Sequence, residues 1–196
     1  NTQLGAVKTR LAATVGDQMA LKIYRLLLKH TAQEVNKVSA DKKVFYSEYI
    51  KSVDIWGEMN FLKGLQSKGN LGQRMENAFS SAFAEGYHNV LIIGSDLFSL
   101  KSSHIKKAIK QLKNNEVVIG PAFDGGYYLL GLKMSLPILF YNKKWGSATV
   151  LEDTLIDLKS KSVFLLEPLN DIDTFQDLKK EPELLEKLKI DVKTYQ

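Results

Sequence analysis

The sequence contains no cysteine, so neither a disulfide framework nor a thiolate metal site can be built from it. That absence is compatible with a reducing compartment, and a cytoplasmic location is the expectation. Its three histidines, His30, His88 and His104, share no metal-ligand spacing, and no Ser-His-Asp or Cys-His set can be read. No apolar run approaches the roughly 20 residues that a membrane-crossing helix needs. There is no signal-peptide pattern, no repeat, no low-complexity stretch and no linker. With 196 residues, one domain over residues 1–196 is expected.

What is present is a chain with 44% hydrophobic residues, enough for a sizeable core, and a modest basic excess. Its 27 basic and 22 acidic residues give a net charge of +5. Many lysines, such as Lys106, Lys107, Lys110 and Lys113, fall at helix spacing and read as a solvated face rather than a nucleic-acid surface. A weak positive field favours an anionic small molecule.

The most informative stretch is Val90-Leu-Ile-Ile-Gly-Ser-Asp96. A short unbroken apolar run bounded by turn signals predicts a strand buried on both faces and central in a parallel sheet. Asp96 then falls just past its carboxyl end, the edge where open α/β sheets bind ligands. Capping of the next helix is the plainer alternative for Asp96.

Strand and helix signals alternate along the rest of the chain. Helical periodicity runs from Asp17 to about Val35, from Arg74 to Glu85, and from a cap at Ser102 over Ile105, Ala108, Ile109 and Leu112. Short strands are expected at Lys42–Tyr46, Glu116–Ile119, Tyr127–Leu132 and Val163–Leu166. Thr149-Val-Leu-Glu152 has capping-box spacing for a helix to about Lys161, and Thr174 suggests another cap. A last helix is expected at Pro182–Lys189, and Asn1–Arg10 reads as a loop. The alternation predicts a three-layer α/β/α sandwich with a mainly parallel, Rossmann-like sheet, the pair around Asp124 being antiparallel. Such a sheet usually opens with a strand, so a strand ahead of Asn1, paired with the Val90 strand, is also expected.

Several groups can carry chemistry. Gly5 allows close backbone approach, and Lys8, Thr9 and Arg10 beside it supply donors that a phosphate needs, although a solvated charge pair is an equal reading. The pattern is not a P-loop. Asp96, Asp124 and the pair Asp171/Asp173 each sit near a strand end, and carboxylate oxygens suit a hard cation such as Mg²⁺. In an extended Asp171-Ile172-Asp173 both carboxylates point one way and Ile172 the other. Gly72 and Arg74 stand at a helix start that suits an anion or an ordinary tight turn. Tyr127, Tyr128 and Trp145 could stack on a base or pack in the core.

Taken in order, Leu4-Gly5-x-Val7-Lys8-Thr9-Arg10-Leu11, Gln66-x-x-Gly69-Asn70-Leu71-Gly72-x-Arg74-Met75, Ile93-Gly94-Ser95-Asp96, Gly120-Pro121-Ala122-x-Asp124-Gly125-Gly126-Tyr127-Tyr128, Trp145 and Asp171-Ile172-Asp173-Thr174 make a pattern over nearly the whole chain. It resembles the bacterial glycosyltransferase-A-like family once filed as DUF2064, within the nucleotide-diphospho-sugar transferase superfamily. More distantly it is similar to 2-phospholactate and molybdenum-cofactor guanylyltransferases. Leu97-Phe98 stand where that family usually has Cys-Pro, and Asn70 where it usually has Asp.

The resemblance implies a glycosyltransferase-A type fold and a glycosyltransferase using a nucleotide-diphospho-sugar donor, a small-molecule acceptor and Mg²⁺ or Mn²⁺. The loop from Gly5 to Arg10 would cradle phosphates, with Gly72 and Arg74 near the nucleotide. Asp96 would hold the cation, with Asp171 and Asp173 as partners. Asp124 would act as base toward the acceptor, with Gly125, Gly126, Tyr127 and Trp145 on that side. Two other readings stand beside it: nucleotidyl transfer from an NTP to a phosphorylated small molecule, and a non-catalytic nucleotide-binding module.

Overall fold

The computed structural model describes residues 1–195. It opens with two consecutive helices, α1 (Thr9–Val15) and α2 (Asp17–Asn36), joined at Gly16, whose φ of 80° lies in the region a Cβ disfavours. Strand β1 (Lys43–Tyr46), the short helix α3 (Ile55–Glu58) and β2 (Leu62–Leu65) follow. Next come α4 (Leu71–Ala84), β3 (Val90–Ile93), α5 (Ser102–Gln111), β4 (Val117–Pro121) and β5 (Tyr127–Leu132). The chain continues through a 3₁₀ turn at Pro137–Phe140, α6 (Val150–Asp157), β6 (Val163–Leu165), α7 (Phe175–Lys179) and α8 (Pro182–Leu188). No helix among the described residues is long and apolar enough to cross a membrane.

The fold is α/β, as expected. Strands β1 and β2 pair in parallel as a two-stranded sheet, and the other four lie in the order β3-β5-β4-β6. Strand β5 runs antiparallel to both neighbours, whereas β4 and β6 are parallel. It follows that β3, β4 and β6 all point the same way and deliver the loops after them to one edge.

Two sets of core side chains define the layers of this sheet. Val118 and Leu129 face Ile105 and Ala108 of α5 and Leu112 at its end. Val117, Ile119, Leu130 and Leu132 face Phe79 of α4, Leu139, Phe140 and Leu158 beyond α6. A separate helical cluster joins Leu11 and Val15 of α1, Ile23 and Leu27 of α2, and Leu178 and Leu184 of α7 and α8.

Val90–Ile93 corrects one expectation. It is an edge strand, bonded to β5 alone within the four-stranded sheet, and all four residues are half-buried. Its apolar run is still explained, because Leu91 and Ile93 pack toward one core cluster and Val90 and Ile92 toward the other. An unbroken apolar run reports covered faces, not lateral neighbours. Among the described residues no strand bonds the free side of β3. The side chain of Asn1 accepts a hydrogen bond from Glu48 N (2.8 Å), beside the end of β1.

Smaller departures have local causes. Helix α1 begins two residues inside the expected Asn1–Arg10 loop, and its buried signal is just Leu11 and Val15. Helix α4 begins three residues before Arg74, because Asn70 and Gln73 form a reciprocal capping box. Ser102 is the first helical residue rather than the cap, and its N–H donates to Glu34 Oε2 (2.8 Å). Thr149 precedes α6 without bonding its backbone; its hydroxyl donates to Asp153 instead, and α6 stops at Asp157. Thr174 does cap α7, in a box with Asp177.

Candidate active site

Three loops reach the edge defined by β3, β4 and β6. Asp96 lies three residues past β3, Asp124 three past β4, and Asp171 and Asp173 follow β6. The backbone ties two of these loops together, since Ile172 N donates to Asp96 O (3.0 Å). Ile172 is fully buried, which leaves the flanking carboxylates on the opposite side of the segment.

The loop before α1 closes the site from the other side. Lys8 Nζ donates to Asp96 Oδ2 (3.0 Å) and to Asp173 Oδ1 (2.6 Å), and Arg10 Nη2 pairs with Asp173 Oδ2. The Lys8 side chain is 7% exposed, against 34% for Asp96 and 70% for Arg10. Burial disfavours the Lys8 ammonium, but the carboxylates of Asp96 and Asp173 outweigh it and hold the group above its usual pKa. Together Lys8, Thr9, Arg10, Tyr24, Asp96 and Asp173 line a pocket of about 380 Å³.

Asp171 stands next to this pair. Burial, then the charges of Asp124, Asp96 and Asp173, push its carboxyl up to about 6. A raised carboxyl holds its proton more tightly folded than unfolded, so stability falls as pH rises from about 4 through about 6. Asp171→Asn should therefore raise the melting temperature at pH 7.5 and not at pH 4. With the penalty discounted to the order of 1 kcal/mol for a half-exposed group, the rise is roughly 2–4 °C. Thermal melts across that pH range test it; an equal effect at both pH values would assign the change to packing.

The remaining residues singled out from the sequence fall elsewhere. Asp124 Oδ1 accepts from Gly126 N (2.8 Å) and so shapes its own turn. Gly125 (φ 90°) lies against the backbone of Ala148 and lines a second hollow with Leu151, Leu155 and Ile156 of α6. Gly72 is buried because the Trp145 indole and the Phe140 carbonyl occupy the space a Cβ would take. Trp145 meets Tyr127 edge-on at 6.4 Å, so these two pack together outside the basic pocket. Tyr128 is buried in the core. Arg74 Nη1 donates to Gln66 Oε1 (2.7 Å), and Gly5 is exposed near Asp17.

Tyr24 and Ser95 also line the basic pocket. Burial and the nearby Asp96 carboxylate hold the Tyr24 hydroxyl above its ordinary pKa. Nothing in the sequence singled out Tyr24, which follows core Ile23 by one position and reads as a boundary residue. Leu97 and Phe98, the departures from the family pattern, point into core clusters and not into the pocket.

Whether these carboxylates suit a divalent cation is answered by Lys8. Its ammonium is a stand-in cation held by one oxygen from each of two converging carboxylates, with Asp171 raised in pKa beside them. Among the described residues no three acidic or histidine side chains stand close enough to hold a metal alone. A hard cation bound beside a phosphorylated ligand needs just one or two carboxylates, so the donor set fits.

A basic loop thus faces carboxylates at the strand ends of an α/β sheet, the edge at which such sheets bind ligands. The chain belongs to the family described as uncharacterised proteins conserved in bacteria (DUF2064), whose model matches residues 28–147, more than half its length. That span includes Asp96 and Asp124, whereas Lys8, Arg10, Asp171 and Asp173 lie outside it. The chain is similar to a Desulfovibrio desulfuricans G20 protein provisionally described as a nucleotide-diphospho-sugar transferase, with 28% identity, a TM-score of 0.83, and coverage of 97% of this chain and 95% of that one. A 4-diphosphocytidyl-2C-methyl-D-erythritol synthase shares the fold at 13% identity and TM-score 0.57, over 81% of this chain and 90% of its own. A Leptospira borgpetersenii cytidylyltransferase does so at 13% and 0.57, over 83% and 82%. No curated protein matches the sequence.

Proposed function

We propose that this chain is a metal-dependent glycosyltransferase, taking a sugar from a nucleotide diphosphate and passing it to a small-molecule acceptor. The observation that carries the reading is the convergence of Lys8, Arg10, Asp96 and Asp173 on one pocket at the strand ends. The likeness to the Desulfovibrio protein over nearly both chains supports the sugar-nucleotide donor.

In this reading Lys8 and Arg10 hold the diphosphate through charge-assisted hydrogen bonds. Asp96 and Asp173, with Asp171 beside them, hold Mg²⁺ or Mn²⁺. The bound cation would supply neutralisation of the charge that develops on the departing diphosphate. Asp124, whose charge acts on Asp171, takes the proton of the acceptor hydroxyl in this reading. The pocket walls fix the donor so that reacting groups meet in one orientation.

A thermal-shift panel of nucleotides and nucleotide sugars, with and without Mn²⁺, tests the reading first. A ligand at 100 times its dissociation constant stabilises by about 2.7 kcal/mol. Product analysis then decides. Acceptor-dependent release of nucleoside diphosphate from the stabilising donor is expected. Pyrophosphate release from an NTP with a sugar phosphate would replace the reading with nucleotidyl transfer, and binding without turnover would replace it with a non-catalytic module.

Arg10 separates phosphate binding from ordinary surface charge. Its pair with Asp173 is 70% exposed on the arginine side, so fold stability should change by about 0–1 kcal/mol in Arg10→Ala. A charge-assisted bond to phosphate is worth roughly 1.5–3 kcal/mol, so diphosphate binding should weaken about tenfold or more. Calorimetric titration of the nucleoside should show no such loss. Equal losses for the two ligands would place Arg10 at the base or in the fold.

A further inference from the structure

We propose that Lys8 is a displaceable counter-cation that couples the two ligands of the site: it yields Asp96 and Asp173 to a divalent cation as it transfers to the phosphates of the nucleotide. This rests on the reading that those two carboxylates hold the cation.

The geometry makes the two occupancies exclusive. Lys8 Nζ bonds Asp96 Oδ2 at 3.0 Å and Asp173 Oδ1 at 2.6 Å, from a side chain that is 7% exposed. An ammonium and a divalent cation cannot share those oxygens, because like charges at such separations repel strongly in a half-buried site. Arg10 is in a different position. It is largely exposed and pairs with the other oxygen of Asp173, so it can receive phosphate without vacating the carboxylate pair.

The backbone is suited to a side-chain exchange. Lys8 sits at φ 49° and ψ 45°, a left-handed conformation that costs any residue bearing a Cβ. Its carbonyl is engaged by Ala12 N (2.8 Å), anchoring the main chain to the first turn of α1. The flexible four-carbon stem can then swing while the backbone stays, which the planar fork of an arginine does less readily. Thr9 and Arg10, the next two residues, line the same pocket, so the phosphates that Arg10 receives lie within reach of the released ammonium.

Coupling of this kind is reciprocal. Metal alone binds weakly because it must evict Lys8, and phosphate alone must draw Lys8 off two carboxylates. Together each removes the other's obstacle, which makes loading of the site conditional on both.

The test is titration of Mn²⁺ alone, with free Mn²⁺ read by electron paramagnetic resonance. It compares wild type with Lys8→Met and with Lys8→Gln, which keeps an N–H donor toward the carboxylates and guards against loss of fold. Both variants should bind Mn²⁺ at least tenfold tighter than wild type, and adding Asp96→Asn to Lys8→Gln should remove the gain. Inorganic pyrophosphate titrated in EDTA should bind the variants at least tenfold more weakly. Unchanged Mn²⁺ affinity in a folded Lys8 variant, with Asp96→Asn still weakening Mn²⁺, would overturn the coupling and leave the site reading standing. Mn²⁺ affinity indifferent to Asp96→Asn in both backgrounds would overturn the coupling and the site reading together.

Discussion

Asp96→Asn is expected to lower turnover of the sugar-nucleotide donor by about 10²–10³-fold, the usual cost of removing one placed group that stabilises developing charge. The substitution keeps the shape of the side chain and removes its negative charge. In this site the charge has two partners: Lys8 at 3.0 Å in the structure itself, and the cation proposed to bind there. Fold stability should hardly move. The Asp96 side chain is 34% exposed, Lys8 retains Asp173, and the backbone bond from Ile172 to the Asp96 carbonyl does not involve the side chain. Mn²⁺-dependent nucleotide binding should weaken by tenfold or more, since about 1.4 kcal/mol is a factor of ten. Steady-state rates, calorimetry and a thermal melt on one preparation separate these effects. Wild-type turnover and metal affinity in the variant would remove Asp96 from the site.

The two ends of this site were unequally legible in the sequence. The carboxylates were readable because each follows a strand, and the strand signals at Tyr127–Leu132 and Val163–Leu166 match β5 and β6 to within a residue. Once β3, β4 and β6 run the same way, their loops must share an edge. The lateral order was not readable. Alternation and apolar runs specify which faces are covered, and they made Val90–Ile93 look central, whereas Tyr127–Leu132 takes the position between β3 and β4. That reversed strand depends on the tight turn at Asp124-Gly125-Gly126, whose pairing partner is a matter of tertiary contact.

The ion pairing of the basic loop was also beyond the sequence. Lys8 and Arg10 were recognisable as phosphate-type donors, but their distance of some 165 positions from Asp173 leaves no local signal that they bond it. For Gly72 the sequence left an anion site and an ordinary tight turn both open, and in the structure the space of its missing Cβ is filled by Trp145. At Asn70, where the family pattern usually has Asp, the amide caps α4 in a box with Gln73, a role in which Asn and Asp serve about equally.

The turn at Gly125 should be the most sensitive position in the fold outside the core. Its φ of 90° lies where a Cβ is strained, and an added Cβ would stand 2.6 Å from the Ala148 carbonyl carbon and Cα, closer still to its oxygen. These are backbone atoms, so no side-chain rotation relieves the contact. The loop carrying Ala148 leads directly into α6, and Leu151 N donates to Gly125 O (2.9 Å), so displacement would propagate to the helix. Gly146, with φ 82° and nothing within 4 Å, is the internal control, because alanine there meets the backbone strain without the collision. Left-handed strain costs roughly 1–2 kcal/mol, and overpacking typically adds about 1–3 kcal/mol. At about 2–4 °C per kcal/mol for a chain of this size, Gly146→Ala should lower the melting temperature by a few degrees and Gly125→Ala by roughly 4–20 °C. Because Asp124 Oδ1 is held by Gly126 N across the same turn, Gly125→Ala should also impair acceptor-dependent turnover below its melting point. Equal melting temperatures for the two alanine variants would show that the Ala148 loop yields freely, and the turn would then not be what holds Asp124 in place.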